Sequence, residues 1–343
     1  MHEVTGKEIA PALGVVRFGR LALSPPLFLA PMAGLTHSAL RRLVMGLGGV
    51  GMLATEMLSA ARLPSESAQV SPFLVRTPIE SPLCYQVLLG KVEEVAPAFA
   101  ALHRFGADAI DLNLGCPAPN VRRIGGGGSL RERPEFTRTL VAEARRCTAL
   151  PLSAKIRLGP MADGDELKDF CQMLEGEGVD LITVHARLSG EKFCRKPRWE
   201  LIAQVKEWVK IPVIANGGIA SVEDARQCLM ESGADGLMIG RAAVQQPWLF
   251  AEIAREVYGW EGKAPALSRP EVYFRFVANL GENFAPERRL GRLKEFTHYF
   301  ARNYPFGLRL AAAVQSSETM EQAVERAQAF FVRNEAAGYC SES

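Results

Sequence analysis

IPVIANGGIASVEDARQCLMESGADGLMIGRAA (211–243) reads as one complete unit of a parallel sheet. PVIANGGI (212–219) is a short apolar run of β type that ends in a polar, glycine-rich tip. The spacing over 222–232 is that of an amphipathic helix, and GLMIGRAA (236–243) is a second run of the same kind. Two strands that point the same way need a crossover, which the helix supplies. Outward from this unit the pattern recurs at LITVHAR (181–187), LSAKIRLG (152–159), AIDLNLGCP (109–117), LCYQVLLG (83–90), GMLATEML (51–58) and LFLAPMAG (27–34). Helical spacing occupies 91–105, 134–147, 164–177 and 199–209 between the runs. Eight such units in roughly 250 residues are the arithmetic of a (β/α)8 TIM barrel. A doubly wound sheet is the alternative, but no GxGxxG turn follows the first strand. VVRFGRLAL (15–23) reads as a hairpin placed before the first barrel strand.

Beyond about Gly262 the strand-like runs stop, and 270–283, 287–303 and 317–338 have helical periodicity. GWEGKAPALSRP (259–270) has the composition of a linker. The expected organisation is an α/β barrel over 1–260 that carries the chemistry and a small all-helical C-terminal domain over 261–343 that binds substrate. The chain of 343 residues is 48% hydrophobic and 23% charged, so it holds a sizeable core and is not disordered. Its 40 Lys and Arg against 38 Asp and Glu leave a net charge of only +2, which excludes a globally basic nucleic-acid coat. Charge is nevertheless uneven in the tail. Lys263 to Arg309 carries nine basic and four acidic residues, and Leu310 to the end carries two and five. The most charge-poor stretch, Leu21 to Leu40, is broken by three prolines and several polar residues, so no membrane span is expected. The start, MHEVTGKEIAPALG, has no basic-then-apolar leader. The seven cysteines include no CxxC pair, which argues for a reduced cytoplasmic chain without a structural metal.

In a TIM barrel the chemistry sits at the C-terminal ends of the strands. Those ends present Pro31-Met32-Ala33, Glu56, Gln86, Asn113 to Cys116, Lys155 with Arg157, His185 with Arg187, Asn216-Gly217-Gly218 and Gly240-Arg241. Lys155 and Arg157 share a strand face, as do His185 and Arg187. An inward Lys155 needs an anionic partner or a lowered pKa. Glu56 or Asp111 could supply a plain salt bridge, and His185 taken alone fits a hydrogen-bonded core histidine equally well. The glycine turns after the last two strands, with Arg241, suit a phosphate. Taken singly, Gly217 or Gly218 would only satisfy a tight turn. Cys116 stands apart from the other cysteines because Gly115 and Pro117 place it on a turn at the rim. The following APNVRRIGGGGS (118–129), with four glycines and Arg122-Arg123, reads as a mobile basic lid, with a plain long connection as the alternative.

APMAG (30–34), TEM (55–57), DLNLGCP (111–117), KIRLG (155–159), VHAR (184–187), IPVIANGGI (211–219), GADGLMIGRAAVQQPWLF (233–250) and GRLKEFTHY (291–299) together resemble the tRNA-dihydrouridine synthases. The resemblance implies FMN at the barrel mouth, NADPH or NADH as reductant, and reduction of the C5=C6 bond of a uridine in tRNA. It implies that Pro31, Met32 and Ala33 line the flavin and that Gln86 bonds its ring. Lys155 would sit on the side where reduction places negative charge, with His185 at flavin or substrate. Asn216, Gly217, Gly218, Gly240 and Arg241 would hold the phosphate. Cys116 would be the proton donor and Asn113 would orient the uracil. Glu56, Arg187, Arg122, Arg123, Arg288, Arg289, Arg292 and Lys294 would meet the RNA, although each surface arginine fits a solvated helix face as well. The chain departs from the family at His37, where an acidic residue is frequent, at Leu188-Ser189 and at Gly218. No metal and no protein partner are implied.

The residue types suit that chemistry. No side chain can deliver a hydride, so a cofactor must. A thiol with an ordinary pKa of about 8.5 is neutral at working pH yet can release its proton. Other readings stay open: a flavin barrel that reduces a free pyrimidine or enone, an aldolase with Lys155 as Schiff-base lysine, or a non-enzymatic RNA-binding module.

Overall fold

The computed structural model describes residues 14–159, 164–191 and 195–336. The stretch 1–13, Cys194, Cys340 and the last residues of the helix expected over 317–338 lie outside them.

The hairpin forms as expected, from β1 (Val16–Phe18) and antiparallel β2 (Leu21–Leu23). The barrel strands follow as β3 (Leu27–Leu29), β4 (Leu53–Ala54) with its short extension β5 (Leu58–Ser59), β6 (Leu83–Leu88), β7 (Ala109–Leu114), β8 (Leu152–Arg157), β9 (Leu181–His185), β10 (Val213–Asn216) and β11 (Gly236–Ile239). All pair in parallel in the order β3-β11-β10-β9-β8-β7-β6-β4. A parallel bridge between Phe28 and Met52 closes the ring, with Leu29 N–H donating to Met52 O at 2.9 Å. The helices around it are α1 (Ser38–Leu47), α2 (Val95–Arg104), α3 (Pro119–Arg123), α4 (Pro134–Arg146), α5 (Gly164–Gly176), α6 (Glu200–Trp208), α7 (Val222–Ser232), the single turn α8 (Ala242–Gln245) and α9 (Leu249–Tyr258).

The side-chain period of two divides each strand cleanly. Val87, Ile110, Leu112, Ala154, Ile182, Val184, Ala215 and Leu237 point outward into the large core shared with the helices. The alternate positions point into the barrel. At its lower end Phe28, Cys84, Ala109, Leu181, Ile214 and Met238 form a separate apolar cluster, and Val16, Phe18 and Leu23 of the hairpin plug it. Higher on the same faces the residues turn polar: Gln86, Asp111, Ser153 and Thr183, all buried, then Asn113, Lys155, His185 and Asn216. The barrel is therefore dry at one end and polar at the other.

After Tyr258 the described chain is helical: α10 (Arg269–Asn283), α11 (Arg289–Phe300), α12 (Gly307–Gln315) and α13 (Met320–Ala336). A full capping box of Ser268 and Glu271 starts α10. The helix α12 is absent from the expected set, which leaves 304–316 unassigned between two expected helices. Aromatic residues fill the centre of this region, where the rings of Phe276 and Phe296 stack with centroids 3.8 Å apart. The region packs directly on the barrel, and Asn279 Nδ2 donates to Ala39 O of α1 at 3.1 Å.

One buried ion pair anchors the first loop of the barrel. Arg41 and Glu80 are 1% and 0% exposed and meet at 2.6 Å. Arg41 Nη1 also donates to Thr36 O at 2.7 Å, and Ser38 Oγ donates to Glu80 at 2.6 Å. Removing one partner of such a pair strands a buried charge, at a cost of about 3–5 kcal/mol. Glu80→Ala is expected to lose stability on that scale in urea unfolding, and a loss below about 1 kcal/mol would show that the pair is dispensable.

Candidate active site at the barrel mouth

A cavity of about 540 Å³ opens at the C-terminal ends of the strands. Pro31, Met32 and Ala33 line it from the turn after β3. Gln86, Asn113 and Cys116 line it from β6, β7 and the turn beyond, and Lys155, His185 and Arg187 from β8, β9 and its end. Asn216, Gly217 and Gly218 follow from β10, and Gly240 and Arg241 from β11. Barrel closure brings these separate stretches to one rim.

Lys155 Nζ donates to Asn216 Oδ1 at 2.8 Å, and Asn216 Nδ2 donates to Met238 O at 2.8 Å. The lysine's hydrogen-bond partner is thus an amide, and the salt bridge to Glu56 or Asp111 open to the sequence does not form. Burial pushes the Lys155 ammonium down to about 8, against the opposing pull of the Asp111 carboxylate. His185 is pushed down to about 2, first by burial and then by Lys155, Arg157, Arg187 and Arg241. Burial and the surrounding cations thus favour the neutral ring. Arg187 Nη1 lies 3.1 Å from His185 Nε2.

Gly217 has φ +108°, and a Cβ there would stand 2.6 Å from the His185 ring. Only glycine lets the backbone pass so close, which leaves the turn's amides at the cavity wall. A helix dipole adds little at these turns, since α7 starts only at Val222 and α8 is one turn long.

The Cys116 loop is built differently from the expectation. The stretch 118–129 forms α3 and enters a 3-10 segment from Gly127 to Glu132, with Val121 and Leu130 buried. Its glycines are packing sites. Gly128 N–H donates to Cys116 O at 2.9 Å, and a Cβ on Gly127 would lie 2.6 Å from that same oxygen. Cys116 is half-buried, and its N–H donates to Asn113 Oδ1 at 3.0 Å.

The remaining expected residues stand outside the cavity lining. Glu56 Oε2 accepts from Gly34 N–H at 2.5 Å, so it holds the turn after β3; burial raises its pKa, opposed by that N–H and by Arg292 and Arg41. Arg122 pairs with Glu132 at 2.9 Å on the surface, and Arg123 and Arg288 are exposed. Arg289 closes the end of α10 through Phe284 O at 2.5 Å and Gly281 O at 2.9 Å. Arg292 lies over the Phe284 ring at 4.4 Å, and Lys294 is half-buried. His37 is buried between the rings of Phe276 and Phe284, where burial drives its pKa well below the usual value.

Four residues to which the sequence assigns no place in the site contribute to it. Arg157 lines the cavity and donates to Leu188 O at 3.1 Å; strand parity with Lys155 signals it. Met57 lies at 3.2 Å from Asn113 Nδ2. Asp111 sits beneath the lining residues and bonds Gln86 and Ser153, each at 2.7 Å. Tyr299 is brought in by α11, and no local signal marks it. Among the described residues no carboxylate lines the cavity and no cluster of His, Cys, Asp and Glu could hold a metal.

Residues 28–334 match the family model described as "Dihydrouridine synthase (Dus)". The chain is 33% identical over 304 residues to the tRNA-dihydrouridine(16) synthase of Aquipseudomonas alcaligenes, covering 86% of this chain and 96% of that one. It is 33% identical over 270 residues to the tRNA-dihydrouridine synthase B of Pseudomonas aeruginosa, covering 79% and 81%. Solved structures share the fold at low identity. A morphinone reductase variant in complex with tetrahydroNAD superposes with TM-score 0.52 at 13% identity, over 73% of this chain and 92% of that one. A variant of NCR from Zymomonas mobilis gives 0.53 at 12%, over 82% and 98%.

The lowered pKa of Lys155 has a stability consequence. Because the folded value of about 8 lies below the usual 10.5, the folded chain sheds this proton first, and the burial penalty is full below pH 8 and fades toward pH 10.5. Lys155→Met is expected to be the more stable chain in urea at pH 7, by a margin that shrinks by pH 10. A margin independent of pH would contradict the buried ammonium.

Proposed function

The chain belongs to the dihydrouridine synthase family, and from that premise we propose that it reduces the C5=C6 bond of a uridine in tRNA, with FMN in the barrel mouth and NADPH or NADH as the reductant. The observation that carries this reading is that Cys116 shares one cavity with Lys155, Gln86 and Asn113 at the polar end of the barrel. The donor set fits the cofactor: N–H groups and an ammonium for ring carbonyls, and Arg241 with the close-passing Gly217 backbone for a phosphate. Bound FMN supplies the hydride that no side chain can provide.

The chain's own residues do the rest. Cys116 Sγ gives its proton to C5 of the uracil. The charges of Lys155 and Arg157 both face Cys116, so the thiolate left behind forms in a positive field. Asn113 orients the base and fixes the Cys116 turn at once. Neutral His185 serves as a hydrogen-bonding and packing group. A uridine inside folded RNA reaches the cavity only when flipped out, at a cost of roughly a few kcal/mol. Arg122 and Arg123 on the barrel and Arg288, Arg289, Arg292 and Lys294 on the helical part meet the phosphates, which divides the chain into a catalytic barrel over 1–260 and an RNA-binding part over 261–343. No helix among the described residues is long and apolar enough to cross a membrane, and a tRNA substrate puts the work in the cytoplasm.

Position-mapped nucleoside mass spectrometry of tRNA tests the reading. Cells without the gene are expected to lack dihydrouridine at a defined position, and the wild-type gene restores it. Cys116→Ala is expected to lower tRNA reduction by about 100-fold or more, the scale of a lost general acid, with flavin reduction by NADPH unchanged. Undiminished dihydrouridine without the gene, or full turnover by Cys116→Ala, would overturn it.

A further inference from the structure

Beneath the cavity lining lies a chain of hydrogen bonds with only one possible direction at its origin. Asp111 is 5% exposed on β7. Its Oδ1 accepts from Ser153 Oγ at 2.7 Å, and its Oδ2 accepts from Gln86 Nε2 at 2.7 Å. An ionised carboxylate only accepts. Gln86 must therefore turn its N–H end toward Asp111 and its carbonyl the other way, where Oε1 accepts from Asn113 Nδ2 at 2.8 Å. At the far end Asn113 Oδ1 accepts from the N–H of Cys116 at 3.0 Å, a donor-only group that agrees with the same direction. Each amide has two N–H groups. The second on Gln86 is left for the cavity, and the second on Asn113 rests on Met57 Sδ at 3.2 Å, a weak acceptor that a carbonyl displaces.

We propose that Asp111 is a positioning residue: its carboxylate, as an acceptor at one end, and the Cys116 N–H, as a donor at the other, fix the direction of the Gln86–Asn113 relay, so that the amide N–H groups left over serve a ring edge rich in carbonyl oxygens and the Cys116 turn is held in place. The proposal rests on the function proposed above for the identity of the ring, a flavin or a uracil. The relay itself is a property of this chain. A hydrogen-bond chain in a low-dielectric interior is stiffer than its separate links, which suits a device that transmits orientation across three residues.

Exchange of the acceptor tests it. Asp111→Asn leaves an amide that can either donate to Gln86 or accept from it, so the relay loses its fixed acceptor at 111 and is held in direction only by the Cys116 N–H at the other end. Adding Gln86→Glu puts an acceptor-only group at the next link, where it takes a donor from residue 111 on one side and from Asn113 on the other, so the 111–86 bond reverses while Asn113 again has a fixed acceptor. The readout is the rate of iodoacetamide alkylation at Cys116 in the purified full-length chain, followed by peptide mass spectrometry. Asp111→Asn is expected to raise that rate about threefold or more, the low end of coupling between hydrogen-bonded neighbours. The pair Asp111→Asn with Gln86→Glu is expected to return within about twofold of wild type. A rate unchanged in Asp111→Asn, or a pair no nearer to wild type than Asp111→Asn, would overturn the proposal. If Asp111→Asn does not fold, Gln86→Glu alone is compared with the pair. The single variant sets two carboxylates against each other and should disturb Cys116, and failure of Asp111→Asn to relieve it would equally overturn the relay. A wild-type chain that leaves tRNA uridine intact defeats the proposed function, whereas the alkylation comparison needs no RNA and stands or falls separately.

Discussion

Closure of the parallel sheet between Phe28 and Met52 is the constraint on which the mouth depends. In an open sheet the strand tips would spread along one edge. In a closed one, every second residue of every strand faces inward, and the tips of β3 through β11 converge within reach of one ligand. The hairpin makes that interior usable. By filling the lower end with Val16, Phe18 and Leu23 it leaves the upper end to polar groups. Those groups are then costly unless satisfied, and the structure satisfies them in two small networks: Lys155 on Asn216, and Asp111 with Ser153, Gln86 and Asn113. The same low-dielectric setting that costs stability holds His185 neutral and Lys155 poised near neutrality.

The helical part is joined to this mouth at its most sensitive turn. Glu56 grips Gly34 just after the Pro31-Met32-Ala33 turn, Arg41 with Glu80 grips Thr36, and His37 between them is enclosed by Phe276 and Phe284. The helix α11 then runs from Arg292, over Phe284, to Tyr299 in the cavity wall. A tRNA held by that helix is thus held by an element that also lines the reaction site. His37 is buried there within reach of the positive charges of Arg292 and Arg41.

The periodic features were legible in the sequence. All eight strand runs are short, apolar and end in polar or glycine-rich tips, so both the barrel and the residues at its rim follow from pattern. Lys155 and Arg157 on one face is a statement about parity, and it survives folding. The errors lie where tertiary contacts decide. The glycines of 125–128 suggest mobility, yet at Gly125, Gly126 and Gly127 a side chain would collide with Arg133, Leu89 or Cys116. Asp111 looks like a partner for Lys155, and its ladder neighbours on β6 and β8 claim it instead. Arg289 looks free for RNA and is partly spent on the end of α10. Tyr299 enters from a helix far along the chain, and no local signal could place it.

The most direct measurement is a single turnover without oxygen. The flavin of the purified chain is reduced with light, mixed with unmodified tRNA, and followed by absorbance while the RNA is digested and its nucleosides are weighed. The account predicts that the flavin is reoxidised and that one dihydrouridine appears for each flavin consumed. A chain that carries no flavin, or a reduced flavin that stays reduced in the presence of tRNA, would contradict it.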